Sequence, residues 1–167
     1  MSSRLHRAIA VGSISFATSA CMAQPKDPSE FRAAVREGGF MTRVEEQAVG
    51  RDFDSAFTAV RRSAERCLNT RETSSTPGKY GPQTQSVDYH ASSRALGPRA
   101  GELAVQMNSA NMIGDYPEGG VYILVADLEQ SQTGASKLTV YAAGKGGDMV
   151  EAIVDWAQGK SEDCPEL

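Results

Sequence analysis

The sequence is poor in the residues that most often carry chemistry. In 167 residues it holds two histidines, three cysteines and one tryptophan. A zinc site needs three or four Cys, His or carboxylate ligands. His6 lies in the first ten residues, so His90 is the one histidine available to a folded domain, and no metal is expected. No Asp-rich stretch matches an EF-hand calcium loop. Neither Gly-x-x-x-x-Gly-Lys-Ser/Thr nor Gly-x-Gly-x-x-Gly is present, which removes the commonest phosphate and dinucleotide loops, and no cofactor is implied. Gly144-Lys145-Gly146-Gly147 comes nearest. It sits between a strand pattern and a helix pattern, where backbone amides can meet an anion, but it reads first as a turn. No run of about 20 apolar residues is available for a permanent membrane helix, and no repeat of tens of residues is visible.

What the chain does have begins at its first residue. Met1 to Arg7 carries Arg4 and Arg7 and no acid. The apolar run Ala8 to Ala17 follows, then the small residues Thr18, Ser19 and Ala20, then Cys21. A basic segment, a short apolar segment and a small-residue exit are the three parts of a secretory signal peptide. Residues 1–20 are therefore expected to direct export. Thr18-Ser19-Ala20-Cys21 resembles a bacterial lipobox, with Thr18 where an apolar residue is commoner. The general plan is similar to that of small, uncharacterised bacterial envelope lipoproteins. The resemblance implies a lipid on Cys21, which becomes the mature N-terminus. With Met22 rather than Asp next to it, it also implies sorting to the periplasmic side of the outer membrane. The alternative is cleavage after Ala23, which leaves a periplasmic or secreted protein.

Loss of Arg4 and Arg7 takes the formal charge from −4 to −6. Nucleic-acid binding requires a basic footprint, so an acidic mature chain speaks against that partner. Lipidation or cleavage removes Cys21 from the thiol count, leaving Cys67 and Cys164 in a compartment that permits disulfides. Parity predicts a Cys67–Cys164 bridge; the alternative is two unpaired buried thiols.

Residues 21–39 read as a tether with Pro25, Pro28 and Gly38-Gly39, in which Ser29 to Glu37 has the makings of a short helix. Residues 40–167 read as one domain. Phe40 to Gly50 is a strand pattern. From Asp52 to Leu68, Phe53, Ala56, Phe57, Val60, Ala64, Cys67 and Leu68 fall on one helical stripe. Asn69 to Gln83, rich in Gly and Pro, reads as a polar loop. Thr84–Ala91, Glu102–Asn108, Val121–Leu128 and Lys137–Ala143 read as strands, the third apolar on both faces and hence central. A last helix is expected from Asp148, through a capping-box pair with Glu151, to Gln158, with Gly159 stopping it. The order is strand, helix, four strands, helix. It predicts an α+β fold with one antiparallel sheet of about five strands and two helices on one face, which resembles a helix-grip layout.

Candidate sites follow from that layout. His90 near Asp88, Ser92 and Ser93 invites a triad, but no nucleophile elbow accompanies them, so His90 reads as a surface residue and the chain as a non-enzyme. Arg62 and Arg66 lie on the polar side of the first domain helix with Arg61 at the stripe's edge, and together with Arg71 they offer a contact for an anionic surface, the alternative being a solvated helix face. A pocket between sheet and helix, lined by Leu103, Val105, Val121, Ile123, Val140, Ile153 and Trp156, would suit a small apolar ligand or lipid. The leading expectation is a non-enzymatic envelope lipoprotein, held to the membrane by its lipid, that binds another envelope protein as an assembly accessory or inhibitor. It would do so by a sheet edge or by the sheet–helix groove. The alternative is a carrier of a small apolar ligand.

Overall fold

The structure, a computed structural model, describes residues 24–39, 41–79, 81–112, 115–132 and 134–167. The elements run α1 (Pro28–Glu37), β1 (Thr42–Val49), α2 (Phe53–Cys67), β2 (Thr70–Gly78), β3 (Gly81–Gly97), β4 (Ala100–Ser109), β5 (Val121–Gln130), β6 (Ser136–Ala143), a 3-10 turn (Gly144–Met149) and α3 (Val150–Gln158). One antiparallel sheet of six strands has the order β1-β6-β5-β4-β3-β2. The α+β class and the antiparallel pairing are as the sequence predicts, with one strand more.

Alternation along the strands divides the sheet into two faces. Leu103 and Val105 of β4, Leu124, Ala126 and Leu128 of β5, and Leu138 and Val140 of β6 join one core with Phe53, Val60, Ile153 and Trp156. Both domain helices thus lie on the same inner face, as expected. A one-residue bulge at Ile123 breaks the β4–β5 register, so that Val105 faces Leu124 while Gln106 faces Tyr122. The bulge turns both Ile123 and Leu124 into the core. Gly101 leaves room for an aromatic ring: a Cβ there would stand 2.5 Å from Phe57 Cε2.

The outer face holds the first correction. The expected tether contains α1, which buries Phe31 and Val35 against Ala104, Val125 and Tyr141. Asp27 caps it, its carboxylate accepting from the Ser29 and Glu30 amides at 2.8 and 2.9 Å. Two apolar side chains four residues apart on a helix need a surface to bury them, and the outer sides of β4, β5 and β6 provide it. With α1 on one side and α2 and α3 on the other, β5 is covered on both faces, which explains its unbroken apolar run.

The second correction concerns residues 69–83. They are not a loop but β2 and the start of β3, paired from Thr70↔Tyr89 to Gly78↔Gly81. The third is local. Met149, not Asp148, holds the N-cap position of α3 and makes no side-chain cap bond, because residues 144–149 wind as a 3-10 turn. Gly159 ends α3 in the left-handed conformation, φ 71°.

Candidate functional site

The seven residues expected to line a ligand pocket make up the core itself. Leu103, Val105, Ile123, Val140, Ile153 and Trp156 are each at most 5% exposed, and Val121 packs against them partly buried. Side chains that touch one another across the sheet–helix interface fill the space that a ligand would need.

His90 stands exposed on the outer face, opposite Gln106 in the register. Its nearest carboxylate in sequence, Asp88, is engaged by Arg71 through contacts of 2.5 and 3.0 Å. The Arg71 guanidinium holds the Asp88 carboxyl below its ordinary range, and both side chains of the pair are exposed.

Arg61, Arg62 and Arg66 are exposed on α2, but the structure divides their surroundings. Arg66 donates to the Glu162 carbonyl and pairs with its carboxylate at 3.5 Å. Arg62 lines an open groove of about 590 Å³ between α2 and the chain that follows α3, together with Arg51, Asp54, Ser55 and Glu162. The groove mixes charges of both signs, so it is not a dedicated anion site.

Cys67 and Cys164 are joined, with their Cα atoms 5.3 Å apart at a sequence separation of 97. Cys67 emerges from the core stripe of α2, and Cys164 sits in the tail beyond α3. Cys21 and the export segment lie outside the described residues.

An ion cluster that the sequence did not reveal sits under α1. Arg32 reaches down to the buried carboxylate of Glu102 and to Asp127, the latter with contacts of 2.5 and 2.7 Å. Arg94 pairs with the other Glu102 oxygen at 2.8 Å. Burial alone would lower the Arg32 pKa; its hydrogen bonds to Asp127 and Glu102 reverse that and raise it. Glu102 alternates with Leu103 on β4, which signals only an outward residue, and nothing in the sequence says that a helix covers it.

The most conspicuous surface feature is the β2–β3 ribbon. β4 pairs with β3 only from Val87 onward, whereas β2 and β3 remain paired from Thr73↔Ser86 to Gly78↔Gly81. Six residue pairs project beyond the sheet, roughly 20 Å at strand rise. Thr73–Pro77 and Gly81–Gln85 are exposed throughout. The projecting part is built from Thr, Ser, Gln, Pro and Gly, without a charged residue from Thr73 to Gly78 or from Gly81 to Ser86. Beyond β4 both of its edges present unpaired backbone to solvent among the described residues, the arrangement that accepts an added strand.

No family model matches the chain, and no curated protein does. A crystal structure of protein MLL2253 from Mesorhizobium loti aligns with 72% of this chain and 89% of its own length, at 12% identity and a TM-score of 0.29. A likeness that slight carries no argument.

Proposed function

We propose that the chain is a non-enzymatic envelope lipoprotein, anchored through Cys21 on the periplasmic side of the outer membrane, whose domain binds another envelope protein through the β2–β3 ribbon. The observation that carries the binding surface is the ribbon's length. A two-stranded hairpin with no apolar face gains little from its own pairing, and six projecting pairs add nothing to the core. Hydrogen-bonding backbone held out from the body, with no charge on its paired residues and Lys79 confined to the turn, is what strand addition uses: main-chain bonds give affinity and alternate side chains give specificity. Export and lipidation rest on residues 1–21 and the lipobox resemblance. The engagement of Asp88 by Arg71 supports a role for the outer face other than hydrolysis by His90. The carrier alternative has less support, because the residues it needs are packed against one another.

The test replaces residues 74–85 by Asn-Gly, which closes a two-residue hairpin turn between the paired Thr73 and Ser86. Wild type and variant are cross-linked in the native host and purified from membranes. The wild type is expected to retain a reproducible envelope protein that the variant loses, while both keep the Cys67–Cys164 bridge. Retention by the variant would remove the ribbon from the proposal. Absence of any reproducible partner of the wild type would overturn the binding function.

A further inference from the structure

At the opposite end of the sheet, β1 pairs with β6 over its whole length, Thr42↔Ala143 to Val49↔Ser136. Its other side is the sheet's free edge among the described residues. Open edges are usually blunted by charge or proline. β1 has no proline, and its charges are arranged in a particular order: Arg43 and then, beyond the apolar Val44, Glu45 and Glu46. Two of the three exposed large apolar residues among the described residues also lie here, Val44 at 44% and Met41 at 60%. Met41 has φ 62°, a left-handed conformation that a residue with a Cβ adopts seldom, and this turn immediately precedes the strand.

We propose that β1 pairs with β1 of a second copy of this chain, antiparallel about a two-fold axis at Val44, so that two six-stranded sheets become continuous. The geometry leaves few registers. A two-fold axis perpendicular to the sheet keeps each side chain on its own face, and cross-strand partners share a face. One residue must therefore stand opposite its own copy. Centred on Arg43, the register opposes two arginines. Centred on Glu45 or on Glu46, it opposes two carboxylates. Centred on Val44, it sets Arg43 against the second copy's Glu45, and Glu45 against the second copy's Arg43. The exposed Val44 side chains meet each other, and Thr42 stands opposite Glu46. Within one chain Arg43 already pairs with Glu45 at 2.7 Å on the same face, so these two side chains can exchange a neighbouring partner for one across the axis without moving to another face. The charges that would repel a strand in the adjacent registers complement it in this one, which is how edge charges select both partner and register.

The surface is distinct from the ribbon, and the proposal does not rest on the ribbon's role. The test uses the full chain, exported in its host, with Val44→Cys. Opposed residues in an antiparallel pair have Cα atoms about 4.5–5.5 Å apart, inside the range of a disulfide. Val44→Cys should give a band of twice the mass on a non-reducing gel. Glu46→Cys, on the same face but about four residues from its own copy, should not. Adding Arg43→Glu to Val44→Cys should reduce the doubled band about tenfold, since both cross-strand ion pairs become like-charge pairs. Adding Glu45→Arg as well should restore it. A Val44→Cys adduct of some other mass, equal cross-linking of Glu46→Cys, or a doubled band indifferent to Arg43→Glu would each overturn the proposal.

Discussion

The indole Nε1 of Trp156 donates to the carbonyl oxygen of Asp163 at 2.9 Å, one residue before the bridged Cys164. The one tryptophan of the chain thus fills the core and also fixes the tail that carries the disulfide. It is 1% exposed. Trp156→Ala should cost about 3–5 kcal/mol. Trp156→Phe keeps most of the apolar volume and leaves the Asp163 carbonyl without its donor, so it should cost less. Urea unfolding of the two variants checks the order.

The bridge closes a span of 97 residues. In the chain-entropy model such a closure stabilises by about 4–5 kcal/mol. Either Cys67→Ser or Cys164→Ser should lower the melting temperature in oxidising buffer. A reducing agent should lower that of the wild type to match and leave the variants nearly unchanged. Full thiol labelling of both cysteines in protein purified from its host without reductant would contradict the expectation.

Removing the cation from the cluster beneath α1 should be costly. Arg32→Ala leaves the Glu102 carboxylate, whose side chain is 4% exposed, with Arg94 alone, and Asp127 without its guanidinium. About 3 kcal/mol is expected, the lower end of the range for breaking a buried pair. Hydrogen exchange should show α1 opening while α2 and α3 stay protected. Replacing Arg32 and Glu102 together by Met and Leu should recover most of the loss.

Asp52 caps α2, accepting from the Ser55 amide at 2.9 Å. That hydrogen bond holds its carboxyl below the ordinary carboxylate range. A depressed folded-state pKa gives stability that is present above the unfolded value and lost as pH falls through the folded one. Asp52→Asn retains a cap that does not titrate. The acid limb of stability against pH should therefore be shallower in the variant, measured by denaturant unfolding across the carboxylate range.

Anchoring is tested at Cys21. Cys21→Ala should move the protein from the membrane fraction to the soluble fraction without altering export. Mass spectrometry finding an unmodified mature N-terminus at Gln24 would refute the lipid and leave export standing.

The two domain helices and the apolar strands were legible because each buries one face, and burial writes a period into the sequence. Phe53, Val60, Ala64 and Cys67 recur at helical spacing, and Leu138 and Val140 alternate. Thr70–Gly78 was not legible: neither of its faces is buried along the ribbon, so nothing selects apolar residues there, and Pro77 and Gly78 look like turn formers even when paired with Pro82 and Gly81. The expected pocket shows the opposite limit. The apolar residues chosen for it were the right inner-face set, but sequence does not distinguish residues that line a cavity from residues that fill one.

The sequence by itself determined α2, α3 and the apolar strands and the inner face of the sheet, and the parity of its cysteines pointed to the pairing of Cys67 with Cys164 that the structure shows. These depend on local periodicity and on counting. Tertiary structure alone decided that α1 belongs to the domain, that Arg32 meets Glu102 and Asp127, and that β1 and the ribbon stand at opposite ends of one sheet. Each of those joins residues far apart in the chain: 70 positions between Arg32 and Glu102, and 95 between Arg32 and Asp127. No local pattern encodes such a meeting, because it comes from the packing of whole elements whose own sequences carry only the need to be covered.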